Sequence, residues 1–514
     1  MGSDAVFWLL VMLAAINAVL AWRRHVRQRG WLAVYATILS IAIAGQFGGD
    51  GRLVWGAGGA WLLLVVVPAL LARGAMNLSA REKHAAARRI ASVAGMLHPF
   101  DGWREAPTFL GAQALASAGD PDGAAALLEP LCRPGSPMGE KASLVRARVL
   151  GHWQEIVDLA ASHSDRPPAD PDVLGLLVRA LGETGDAAGM VDLWDRHRDK
   201  LVRQPAIRNV ARLALFAFSG RVEATRRHLQ TALPAMPAPT RDFWLATARL
   251  AAGDADAARG EFERILPTAN AATRRAIERR LDGLRRPPPS LDPRQMEVVA
   301  AEEARAEEES RFAPPVSVWS PGGLVTRFLV GTNVAVFLLE TALGGSTDYA
   351  TLHRLGGLCT GCVVRGAWWR MVTSTFLHLG PLHLAMNVLA LAALGPAAET
   401  ALGKRRFLTV YLVSGIGSMA AVALRAWATD TASFTIGASG AVMGIVGSNA
   451  AMMLRGWVRE RAPVARQRGL AMAGYVAVQM VVDSMVPQFS FTAHLAGAII
   501  GFVTTLLLGD RLRR

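Results

Sequence analysis

At 514 residues, with 52% apolar side chains and a positive mean hydropathy, the chain is too long for one small domain and too apolar for an ordinary soluble protein. Its 55 Lys and Arg against 41 Asp and Glu give a formal net charge of +14, which suits a nucleic-acid partner only if the charge gathers on one surface. Three cysteines in such a length exclude a disulfide framework.

An apolar run from Ala5 to Trp22 has the length of a minimal spanning helix. No basic residue precedes it, and Arg23, Arg24, Arg27 and Arg29 follow at once, the reverse of a cleavable signal peptide. Short basic loops stay cytoplasmic, so the N-terminus is expected outside. Further runs at about 31–47 and 53–72 complete three N-terminal membrane helices within residues 1–76, ending in the cytoplasm before the basic stretch Arg81 to Arg89.

Residues 77–285 are rich in Ala, Leu, Arg and Asp, and they repeat. Ala114 to Asp120, Ala180 to Asp186 and Ala248 to Asp254 share a pattern ending in Gly-Asp, with weaker copies at Gly151 and Gly220. The glycines at 119, 151, 185, 220 and 253 lie 32, 34, 35 and 33 residues apart. That period matches helical-hairpin repeats of the tetratricopeptide type, with Gly closing one helix of each pair. A cytoplasmic solenoid of this kind offers a docking surface for a protein partner or serves as a spacer. Cys132 is isolated and reads as a packed thiol.

Residues 286–322 form a linker, with Pro287-Pro288-Pro289 stopping the repeats and an acidic stretch from Gln295 to Ser310 expected to be a solvated face. Beyond it six spans are expected, at about 324–343, 382–398, 407–427, 437–454, 470–486 and 491–508. Alternate loops are basic: the segments 23–29, 404–406, 455–468 and 510–514 together hold 15 Lys and Arg against Glu460 and Asp510. Nearly all of the net charge is therefore a topology signal, and no nucleic-acid partner is needed. The fold class expected is an all-α polytopic membrane protein with a soluble helical-repeat insert and a cytoplasmic C-terminus.

Three polar clusters interrupt the last six apolar segments. Thr435 to Gly444 opens the fourth with Gly437-Ala438-Ser439-Gly440; taken alone, Gly440 and Gly444 form a GxxxG suited to close helix packing. The second has His378, His383 and Asn387 just after Trp368-Trp369-Arg370, and the spacing of four puts His383 and Asn387 on one helix face. The sixth carries His494 above a GxxxG that begins at Gly497. At about 1.5 Å rise per residue, Ser439, His383, Asn387 and His494 lie at similar shallow depth beneath the outer membrane face. Polar groups at that depth mark function. Ser439 supplies a nucleophile, His494 a base to take its proton, and Asn387, His383 and the Ser439 N–H supply donors for an oxyanion. With no acid seen near these residues in the spans, a Ser-His dyad is expected. No metal or cofactor is expected.

In its last third, about 323–510, the chain resembles the rhomboid intramembrane serine proteases: Trp-Arg before the second span, HxxxxHxxxN leading into it, GxSG opening the fourth and AHxxGxxxG in the sixth. The resemblance implies a six-helix bundle with Ser439 as nucleophile, His494 as base, and Asn387 and His383 at the oxyanion. It places His378, Trp369 and Arg370 in a structured outer loop, and makes Glu399 a structural polar contact. Met443 stands where the family often has an aromatic residue against the catalytic histidine. Implied substrates are single-span membrane proteins cut near the outer face, and the implied site is the lipid bilayer of a bacterial inner membrane.

Cys359-Thr360-Gly361-Cys362 falls in the long outer loop, as a short disulfide or as two free thiols. The competing reading is a scaffold that binds transmembrane helices without cutting, with the solenoid as docking module. Against it, both Ser439 and His494 are present. A transporter would show pathway charges, and Arg327, Glu340, Arg425 and Asp483 lie mostly near span ends.

Overall fold

A computed structural model of the chain describes residues 6, 7, 10, 11, 14, 29–133, 138–161, 170–202, 204–283, 290–312, 323–485 and 490–509. The expected first span with its basic flank, the linker prolines from Pro287 to Pro289 and from Pro314 to Pro321, and the terminal Arg511, Arg513 and Arg514 fall wholly or mostly outside these. The chain divides into two compact units, one of Leu9–Ala306 and one of Glu307–Arg514 with Met1–Trp8. Among the described residues the one sheet is an antiparallel pair of two-residue strands, β1 (Leu358–Cys359) and β2 (Phe434–Thr435). All other regular structure among the described residues is helical.

Six described helices are long and apolar enough to cross a membrane. Gly30–Phe47 and Gly51–Ala80 belong to the first unit; Leu324–Ala342, Gly380–Leu402, Lys404–Ala428 and Phe491–Leu508 belong to the second. The other two expected spans are long helices too, Ser439–Glu460 and Pro463–Met485, but they carry more polar side chains, including Ser448, Asn449 and Arg455 in the first of them. The helix expected over 53–72 runs on to Ala80, through a π-helical turn at Leu62–Val66. Pro68, which has no N–H to donate, follows that turn, a setting in which the ladder readily slips by one residue. No proline interrupts residues 69–80, so the helix continues until Glu82 takes a positive φ of 58°.

In the repeat segment the five periodic glycines all adopt positive φ: 102° at Gly119, 81° at Gly151, 91° at Gly185, 69° at Gly220 and 90° at Gly253. Where aspartate follows, it caps the next helix: Asp120 accepts from Gly123 N, Asp186 from Gly189 N and Asp254 from Ala257 N. The recurring Gly-Asp is thus a left-handed stop followed by an N-cap. Between the hairpins lie buried Trp194, Phe216 and Phe262. The acidic stretch of the linker is not simply a solvated face. It forms the helix Pro293–Phe312, in which Val299 and Glu302, three apart on one face, are buried, and Arg212 Nε donates to Glu302 at 2.7 Å.

In the second unit the helices Ser439–Glu460 and Phe491–Leu508 touch backbone to backbone. A Cβ on Gly497 would lie 2.1 Å from Gly440 O, and one on Gly501 would lie 2.1 Å from Gly444 O. Glu399 accepts from Val325 N, Thr326 N and Thr326 Oγ1 at 2.8–2.9 Å, capping the helix Leu324–Ala342.

Candidate active site

Strand β2 leads through Ile436 into Gly437, whose N–H donates to Ser374 O at 2.8 Å. Gly437 has φ +131°, and a Cβ there would stand 2.7 Å from His383 Cε1 and 2.8 Å from Nε2. Both conformation and space therefore require glycine. The turn ends at Ser439, the first residue of its helix.

His383 lies one turn into the helix Gly380–Leu402, and its Nδ1 accepts the Leu379 N–H at 3.3 Å. With Nδ1 an acceptor, the ring hydrogen of the neutral imidazole sits on Nε2, the nitrogen beside the Gly437–Ser439 turn. Asn387 is buried one turn further on and donates through Nδ2 to His383 O at 3.0 Å. His378 is fully buried behind them, its ring 5.3 Å from that of His383 and its N–H donating to Glu340.

His494 lies in the first turn of the helix Phe491–Leu508, which Ser490 caps by accepting from Ala493 N. The expectation that no acid stands near the pair is overturned. His494 Nδ1 lies 2.7 Å from Asp483 Oδ2, and Gln479 Nε2 donates to Asp483 Oδ1 at 2.8 Å. Asp483 and His494 are both buried. Asp483 sits in the last turn of Pro463–Met485 and His494 in the first turn of the next helix, so the facing ends of two successive helices bring them together. The sequence signal was present, an acid one turn before the end of one span and a histidine one turn into the next.

Ser439, His494, Asp483, His383, Asn387 and Met443 all line a single cavity of about 650 Å³. Met443 is buried and packs with Val446 and Ala498, so a flexible thioether stands at the position where the resemblance would put an aromatic ring. Gly440 and Gly497 act from behind, through the helix contact described above. Trp369 and Arg370 do not line the cavity: the Arg370 guanidinium stacks 4.9 Å from the Trp369 ring and donates to His353 O and Gly357 O at 2.8 Å, pinning the segment before β1.

The model of the Rhomboid domain matches residues 365–511. Rhomboid protease GluP of Bacillus subtilis is 31% identical over 185 residues, 36% of this chain and 34% of its own length. Rhomboid protease AarA of Providencia stuartii is 28% identical over 200 residues, 35% of this chain and 71% of its own length. The rhomboid relative YdcA of Bacillus subtilis is 30% identical over 169 residues, 32% of this chain and 77% of its own length. The chain thus spans about a third of GluP and about three quarters of YdcA.

Proposed function

This chain belongs to the rhomboid family, and from that membership we propose that its second unit is a serine endopeptidase acting on membrane-spanning proteins within the bilayer. The observation that carries the proposal is the gathering of Ser439, His494 and the oxyanion candidates around one cavity. Ser439 Oγ attacks the scissile carbonyl while His494 takes its proton. Asp483 holds Nδ1–H, so the neutral imidazole offers its Nε2 lone pair for that step. The reading thereby replaces the expected dyad with a dyad oriented by a carboxylate. The oxyanion is met by His383 Nε2–H, the Asn387 amide and the Ser439 N–H. His494 then returns the proton to the leaving amine, and water repeats the sequence on the acyl-enzyme.

The finer reading is that single-span substrates are cut near the outer face, in the bacterial inner membrane, with the N-terminus outside and the repeats and C-terminus cytoplasmic. The basic loops support that orientation. The domain limits proposed are 1–76, 77–285, 286–322 and 323–510, with the repeats as a docking module for a cytoplasmic partner.

The test uses the full chain in detergent or bilayer with a fluorophosphonate probe and a generic single-span substrate. Wild type labels and cleaves; Ser439→Ala loses both, and His494→Ala falls to background. Folded wild type that neither labels nor cleaves would replace the enzyme with a helix-binding scaffold.

A further inference from the structure

One pair of reactive side chains has no part in this mechanism yet lies one strand away from the serine. Cys359 and Cys362 are joined by a disulfide. Cys359 closes β1, which pairs with β2 through Leu358 opposite Thr435 and Cys359 opposite Phe434. Beside it Thr360 N donates to Ser433 O at 3.2 Å, and the Thr360 and Ser433 hydroxyls are 2.6 Å apart. Three residues separate the end of β2 from Ser439, and Gly437 is one of them, packed on His383. A backbone change at 359–362 is therefore transmitted directly to the turn that carries the nucleophile.

A third group faces the pair. His353 Nε2 is 3.3 Å from Cys362 Sγ. The His353 carbonyl is held by Arg370, and its ring lies 6.5 Å from that of Phe434 in β2. A bridge between residues three apart closes one of the shortest possible loops and so removes little unfolded-chain entropy. Stiffening of the loop is thus a small effect, and it has no use for a histidine. A histidine against one sulfur does have a use in thiol–disulfide exchange, where it stabilises the departing thiolate.

We propose that Cys359–Cys362 is an exchangeable disulfide, reduced by a dithiol, whose redox state sets the reactivity of Ser439. The attacking thiolate strikes Cys359 Sγ, which belongs to the more exposed of the two cysteines. The S–S bond breaks and its electron pair leaves on Cys362 Sγ, beside the His353 ring nitrogen. The second thiolate of the reductant attacks the mixed disulfide and releases Cys359. Two electrons pass from the dithiol, which becomes a disulfide, and two protons end on the cysteines. The control of Ser439 rests on the protease reading; the exchange site does not.

The experiment equilibrates full-length protein in detergent with graded mixtures of oxidised and reduced dithiothreitol, in a Cys132→Ser background because Cys132 is a free thiol. Maleimide trapping and mass measurement count thiols, and fluorophosphonate labelling is timed on the same samples. The expected result is a single two-electron step that exposes two thiols together. His353→Ala shifts that step about tenfold toward the disulfide, the worth of one hydrogen bond to a thiolate. Labelling of Ser439 differs at least threefold between the two states, and Cys359→Ser/Cys362→Ser labels at one rate throughout. A pair that never opens, or opens identically in His353→Ala, overturns the exchange site. Stoichiometric zinc retained by the reduced protein and lost in His353→Ala overturns it in favour of a metal site. Equal labelling in both states overturns the coupling to Ser439. No labelling in either state brings down the protease reading and the coupling with it, while the thiol count still decides the exchange site.

Discussion

Asp483 is held from both sides, with Oδ1 accepting from Gln479 and Oδ2 against His494 Nδ1, so it has one orientation in which to act. Asparagine at 483 keeps the shape but can present an N–H to Nδ1, which favours the tautomer that leaves Nε2 protonated and useless as a base. Asp483→Asn is therefore expected to slow fluorophosphonate labelling by at least about 10²-fold, toward the roughly 10⁴-fold cost of the corresponding change in a Ser-His-Asp triad. Timed labelling beside wild type measures this, with circular dichroism to verify folding; an unchanged rate would return the site to a simple dyad. The case also marks what sequence could carry at this scale. Ser439, His383, Asn387 and His494 were legible because each combines a reactive type with a helical spacing. Asp483 is legible only as an acid near a span end facing a histidine near the start of the next; its role depends on how those two helices meet, which spacing along one helix does not give.

Between elements, Gly440 and Gly497 turn out to serve two purposes. The GxxxG reading, close packing of two membrane helices, is correct for both helices, and the same contact joins the two helices whose first turns bring Ser439 and His494 to one cavity. A methyl on residue 497 would meet Gly440 O at 2.1 Å, so the helices must part by about an ångström or more. Gly497→Ala is expected to lower stability by about 1–3 kcal/mol and to abolish most labelling. Gly474→Ala, where a Cβ meets nothing within 4 Å, is the control and should do neither. Thermal melts and labelling of both variants check the pair; equal behaviour would show that the contact has slack. Element positions were largely readable, since apolar runs of spanning length and a 34-residue glycine period are strong signals. Two readings failed for a common reason. The helix to Ala80 and the buried face of Pro293–Phe312 both lie where composition turns polar, and polar composition alone does not show which other helices the chain packs there.

At the scale of the whole molecule, charged and polar side chains also tie the repeat unit together from within. The repeat unit closes on itself through long-range polar contacts: Glu82 accepts from Thr240 and Asn270, Arg275 donates to Ala116 O at 3.2 Å, and Arg280 donates to Glu183 at 2.8 Å. Glu183 is almost wholly buried, with Arg179 on its other side. Burial alone would raise its carboxyl, but Arg280 and Arg179 outweigh that and hold it below its ordinary value of 4.5. The folded value being the lower one, the stabilisation is complete above pH 4.5 and is lost as pH falls through the folded value. Removing one partner of such a buried pair costs about 3 kcal/mol or more. Hydrogen exchange on the full chain, corrected for intrinsic rates, should therefore show the helices Pro171–Thr184 and Ala271–Asp282 losing protection together on acidification. In Glu183→Gln the same two helices should be less protected at neutral pH and lose little more in acid. If wild type and variant instead lost protection in parallel, the closure would rest on packing such as Phe218 and Phe243 against Arg280, with the buried carboxylate a passenger in it.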